Sequence, residues 1–245
     1  MNDYLRQAGA VPAGRADMAV DAGLRSFMLG VYNKMALGLG LSGALAFAVM
    51  SYPPLFQLVF GTPLAFVVMF GPLAILLISS FAMKNPSPTA AGVIYWSVVS
   101  LIGVSLGGIL MQYMGSREGM ADVAKAFLTT AGAFGALSLW GYTTKKDLTG
   151  FGSFLIMGLF GLIIASLVNM FLKSSPLGFV ISLAGVGIFA GLIAYDTQRL
   201  KFQYYELQGD QRSMAVATSY GALSLYLNFI NLFLMLLRLF GGNRN

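Results

Sequence analysis

Few residues in this chain of 245 could do chemistry in an apolar setting, and their types narrow that chemistry at once. Asp196, in Tyr195-Asp196, closes a long apolar run, and a Tyr-Asp pair is half of the two-carboxylate site that an intramembrane aspartyl protease needs. No second acid falls in such a run, since Asp3, Asp17, Asp21, Glu118, Asp122, Asp147, Glu206 and Asp210 all lie in tails or loops. Histidine is absent, which removes HExxH zinc proteolysis, a Ser-His dyad and histidine proton relays. Cysteine is absent too, so there is no disulfide framework, thiolate nucleophile or Cys-ligated metal. No P-loop or dinucleotide fingerprint is present. The expectation is a non-enzyme with no catalytic residue, metal or cofactor.

A second polar set has helical spacing. Tyr220, Ser224, Asn228 and Asn231 step by four, four and three, and Arg238 continues that face one heptad beyond Asn231. In hydrocarbon such a stripe must face protein or water, which places its helix at the centre of a bundle. Alternatively the amides only bond neighbouring helices, at about 0.6–2 kcal/mol each. Asp196 also has two readings. It is either a hydrated interfacial charge balanced by Arg199 and Lys201, or an embedded ionisable group and therefore functional, since burial at a helix centre costs about 2.5–3.5 kcal/mol. Its depth decides between them.

The elements that must position these residues are membrane spans. The chain is 57% hydrophobic and 10% charged, with mean hydropathy +0.76, whereas soluble domains carry about 25% charged residues. Seven runs are long enough to cross roughly 30 Å of hydrocarbon, at about 30–51, 60–82, 92–114, 123–141, 151–172, 177–198 and 214–240. The predicted fold is an all-α integral membrane bundle of seven transmembrane helices over 28–241. Residues 1–27 read as a polar cytoplasmic tail, too polar for a signal peptide, and 242–245 as a short C-terminal tail. Tyr52-Pro53-Pro54, Asn85-Pro86-Ser87-Pro88 and Lys173-Ser174-Ser175-Pro176 punctuate the runs.

The net charge of +6 is read as loop charge rather than a nucleic-acid surface. With the N-terminus cytoplasmic, Arg6, Arg15, Arg25, Lys34, Lys84, Lys145, Lys146, Arg199, Lys201 and Arg212 share that side. Arg117, Lys125, Lys173, Arg238 and Arg244 lie opposite, which favours N-in and C-out in the cell (inner) membrane. Small residues spaced by four (Ala36/Gly40/Ala44/Ala48, Gly103/Gly107, Gly132/Ala136, Gly187/Gly191) allow close helix approach, within one bundle or across a dimer face.

Three segments are together similar to a known family: Gly191-Leu-Ile-Ala-Tyr-Asp-Thr-Gln198, Ala222-Leu-Ser-Leu-Tyr-Leu-Asn-Phe-Ile-Asn-Leu-Phe233 and Leu236-Leu-Arg-Leu-Phe-Gly241. With the opening Val31-Tyr-Asn-Lys-Met-Ala-Leu-Gly-Leu39, the chain over 25–241 resembles bacterial members of the Bax inhibitor-1 family. The resemblance implies seven helices with a central last one. It also implies a pH-sensitive calcium leak, and suppression of cell death in eukaryotic members. In that family's proposed gate, two Asp on the sixth and seventh helices share a proton, and a basic residue ending the second helix latches onto them.

Asp196 matches the sixth-helix acid, and Lys84 falls where the latching cation is expected. Asn228 stands in place of the seventh-helix acid; it keeps the shape but cannot titrate. The two-Asp gate is therefore expected to be impaired, and a Lys latch to be looser than a bidentate Arg. The resulting expectation is a passive cation leak, calcium the ion in transit, with Asp196 as sensor. The alternative is a non-conducting membrane modulator of quality-control proteases or stress-response machinery, with the polar tail as its handle. The partners implied are the lipid bilayer, calcium and a membrane protein, not nucleic acid.

Overall fold

The computed structural model describes the backbone of residues 13–115 and 117–241, and side chains from residue 22 onward apart from 117. Among the described residues eight helices follow one another: α1 (Ala13–Ser51), α2 (Pro53–Phe60), α3 (Leu64–Ala82), α4 (Pro88–Met111), α5 (Arg117–Thr143), α6 (Thr149–Leu172), α7 (Ser175–Glu206) and α8 (Gln211–Gly241). Among the described residues, all but α2 are long and apolar enough to cross a membrane. The seven-span bundle expected from hydropathy is what forms.

The helices run further than hydropathy alone marks, and the reasons are local. Pro88 and Pro176 stand inside segments that read as linkers, yet each lies in the first turn of its helix. A proline there loses no hydrogen bond, because the first turn's N–H groups have no helical partner. Ser87 and Ser174 cap these starts by accepting from the Ala90 and Leu177 amides. Pro53 and Pro54 end the first span and also open the short α2. The supposed polar tail is corrected as well: α1 is helical from Ala13, and Leu24 and Phe27 are buried, Phe27 against the Tyr204 ring of α7. Polar residues on its other faces hid that apolar edge from a simple hydropathy reading.

α8 sits at the centre, packed by α1, α4, α5 and α7. α3 packs mainly on α4 and α6 on α7, so both lie at the periphery. Their outward rows, such as Phe66, Phe70 and Phe81 on α3 and Phe154, Phe160 and Phe171 on α6, are exposed as lipid-facing residues should be. Asp210 starts α8 by accepting the Arg212 and Ser213 amides and the Ser213 hydroxyl. These bonds, those of Ser213 foremost, hold its carboxyl below the usual range. With a depressed folded value, the cap stabilises fully at neutral pH, and its contribution is lost as pH falls from the ordinary carboxylate range through that lowered value.

The small-residue stripes divide between two uses. A Cβ on Gly103 would come within 2.7 Å of the Ser42 Cα, and one on Gly107 within 2.9 Å of the Val49 side chain, so this pair seats α4 on α1. A Cβ on Gly141 would land on the Ala194 carbonyl, so Gly141 seats α5 on α7. Gly40, Gly132 and Gly187 face open space. Gly141→Ala is expected to destabilise the bundle by about 1–3 kcal/mol. Gly132→Ala is expected to be neutral or slightly stabilising. Thermal unfolding of the two variants in detergent distinguishes them.

Candidate functional site

Four consecutive residues near the middle of α7 each meet a different neighbour, because successive side chains on a helix are turned by about a quarter of a turn or slightly more. The Tyr195 ring lies on Gly152 of α6, where any Cβ would strike it. Asp196 turns to α8, where its Oδ2 accepts from the Ser224 hydroxyl at 2.6 Å and the Asn228 amide at 2.7 Å. Thr197 turns to α5 and shares a 3.0 Å hydrogen bond with Ser138. Gln198 accepts from the Leu148 amide and donates to the Lys146 carbonyl, closing the loop between α5 and α6. One stretch of α7 thereby holds α5, α6 and α8 in register.

Asp196 is 5% exposed. Because α7 continues to Glu206 rather than stopping at 198, the carboxylate lies about 15 Å along the helix from its end. The carboxylate is therefore shielded by protein, and the counter-ion that the interfacial reading expects is present in Arg199. Arg199, one turn on, reaches Oδ1 at 3.0 Å and lies 5.8 Å from the Tyr195 ring centroid. Lys201 turns away and donates to the Tyr142 carbonyl. The carboxylate thus receives three donors, from Ser224, Asn228 and Arg199. Arg199 itself is half exposed and borders a cavity of about 350 Å³ that Gln203 and Glu206 also line.

Not every residue of the polar stripe joins this site. Asn231 donates back to the Leu227 carbonyl of its own helix. Tyr220 is only partly buried, and Arg238 is exposed at the far end of α8, beside a cavity of about 510 Å³ that includes Ser166, Asn169 and Ser182. Lys84 is exposed just beyond α3, which packs against neither α7 nor α8. The cation on Asp196 is Arg199 instead.

Comparison with known proteins shows the family. The family model described as "Inhibitor of apoptosis-promoting Bax1" matches residues 24–245. The chain belongs to the Bax inhibitor-1 family. Over the full length of both chains it is 61% identical to a Caulobacter vibrioides protein described as uncharacterized. It is 44% identical to protein RP147 of Rickettsia prowazekii over 92% of this chain and 93% of that one. It is 39% identical to the inner membrane protein YbhL of Escherichia coli K12, over 94% of this chain and 98% of that one.

This Bax inhibitor-1 family member carries a second polar network on the opposite face of α8. Tyr226 shares a 2.6 Å hydrogen bond with Ser42 of α1, whose hydroxyl is also placed to donate to the Val99 carbonyl of α4. One heptad earlier, Ser219 accepts from the Lys34 ammonium at 2.7 Å. Lys34 also lies 5.3 Å from the centroid of Tyr95, whose hydroxyl donates to the Lys34 carbonyl. In sequence, Lys34 counts only as one of the basic residues of the cytoplasmic side, near the start of the first span, and Tyr226 disappears between Leu225 and Leu227. The seven-residue step from Ser219 to Tyr226 is the signal that could have found this face. Asn228→Ala is expected to cost about 1.5–3 kcal/mol, as loss of a donor to a charged group does. Lys84→Ala is expected to stay within about 0.5 kcal/mol. Both are read as shifts in thermal unfolding in detergent.

Proposed function

We propose that the chain is a passive cation leak of the inner membrane, with calcium the ion in transit, and that Asp196 is its charged sensor. It is not an enzyme. The observation that carries the reading is a carboxylate deep in a membrane bundle, buried to nineteen parts in twenty and held by donors from α7 and α8. Such groups are costly in hydrocarbon and tend to mark ion or proton paths. One carboxylate with a hydroxyl and an amide makes a weak calcium site, which suits transit better than storage. N-in orientation, favoured by the basic residues, puts the Arg199 cavity on the cytoplasmic side. The relative YbhL is itself called an inner membrane protein.

In this reading Arg199, not Lys84, is the cationic latch. It stands between the carboxylate and the cavity, so its departure would uncover Asp196 to water and cations. The gate also differs from a two-carboxylate one in what holds it shut. Two Asp side chains need a proton from solvent to lie together, whereas Asn228 brings its hydrogen covalently. The contact between α7 and α8 therefore forms without proton uptake.

Calcium flux through purified protein in liposomes tests the proposal. The wild type is expected to leak slowly, with little dependence on pH across the neutral range. Arg199→Gln should raise that leak several-fold, and Asn228→Asp should make it pH-dependent. Identical flux in wild type, Asp196→Asn and Arg199→Gln at every pH would make Asp196 a structural residue and overturn the proposal.

A further inference from the structure

α1 and α5 both pack against α8, and their backbones stay apart while Tyr32 reaches across to share a 2.6 Å hydrogen bond with Ser138 and to stand edge-on to Phe134. Between them runs a groove of about 650 Å³, floored by Phe229 of α8. It continues past Leu39 and Phe229 into a second cavity of about 290 Å³. Its rims are exposed apolar side chains, with Leu29 49% and Leu139 64% exposed, so it opens sideways toward the bilayer. Gly135 faces this space with nothing within 4 Å of where a Cβ would stand. At one end, where α1 begins to pack and α5 finishes, the lining turns polar and basic. Arg25 lines the mouth with Tyr142, and the Lys201 ammonium sits over the Tyr142 ring and donates to its carbonyl. From Arg25 to Leu39 is 14 residues, about 21 Å, which is the reach of a headgroup and one leaflet of a roughly 30 Å core.

We infer that this groove is a binding site for one anionic phospholipid, its acyl chain along Phe229 and its phosphate between Arg25 and Lys201. The apolar walls suit any acyl chain, and the Arg25 guanidinium at the mouth, with the Lys201 ammonium behind the Tyr142 ring, favours negative headgroups. The inference does not depend on conduction. It concerns a face of α5 turned about a quarter of a turn from the close contact at Gly141, and it assigns the open small residues of that face to a ligand rather than to helix packing.

Native mass spectrometry of the full chain, released from nanodiscs of equal phosphatidylglycerol and phosphatidylcholine with matched acyl chains, tests the site. The wild type should retain one lipid, with phosphatidylglycerol preferred roughly tenfold or more, each nearby cation contributing roughly fivefold. Arg25→Ala should cut that preference roughly fivefold, and Gly135→Leu should abolish retention of both lipids without lowering thermal stability. Equal retention of the two lipids would overturn the assignment, as would phosphatidylglycerol retention unchanged by either variant. Since the chain has no cysteine, Ala36→Cys reports the competing occupant. Efficient disulfide-linked dimers that compete with lipid retention would give the groove to a second copy and overturn the inference.

Discussion

Hydrocarbon offers nothing to a carboxylate, so every bond that Asp196 needs must come from the protein itself. That requirement fixes how α7 meets α8. Ser224 and Asn228, one turn apart on α8, both point at the same carboxylate oxygen, and a slip of one turn in either direction would take at least one of them away. The neighbours on either side of Asp196 carry the same logic outward, Tyr195 onto α6, Thr197 onto α5 and Gln198 onto the loop between them. A costly charge thus sits where several helices are cross-connected, and its environment is set by more than one helix pair.

The opposite side of α8 repeats the principle with different chemistry. Ser219 and Tyr226 face α1 and α4, and their partners are an ammonium, an aromatic face and a serine hydroxyl rather than a carboxylate. Among the described residues, Lys34 makes its polar contacts to a hydroxyl and a ring and has no acid in salt-bridge range. The central helix is therefore bonded on two faces, whereas α3 is held mainly along α4, where the Ser105 hydroxyl donates to the Val68 carbonyl, and α6 mainly along α7. Rearrangement of the peripheral helices disturbs fewer directional bonds than sliding of α8.

Much of this architecture could be read from residue types alone, because charge-poor runs of about 20 residues admit few folds besides a helical membrane bundle. What hydropathy missed has local causes. Proline was read as a break where it is a first-turn residue at Pro88 and Pro176, and the apolar edge of α1 at Leu24 and Phe27 was masked by charged neighbours. The step of four from Ser224 to Asn228 exposed half of the Asp196 site. The cation did not follow, because Lys84 was carried over by resemblance while Arg199, one turn along the same helix, reaches the carboxylate directly. The second face of α8 stayed hidden because a tyrosine among leucines looks like packing until its hydroxyl is seen to have a partner.

Where the cation of the pair resides on the chain also bears on how the protein is made. α7 is synthesised before α8, so Asp196 enters the bilayer before Ser224 and Asn228 exist to receive it. Arg199 is three residues on and emerges almost with it, so the new helix carries its own counter-ion from the outset. An acid in a nascent span adds an insertion cost that reaches about 2.5–3.5 kcal/mol at a helix centre, and here a cation three residues on is at hand to offset it before the last helix completes the shell. The same three-residue spacing that closes the site in the finished bundle thus makes the ion pair available within α7 alone, before α8 is added.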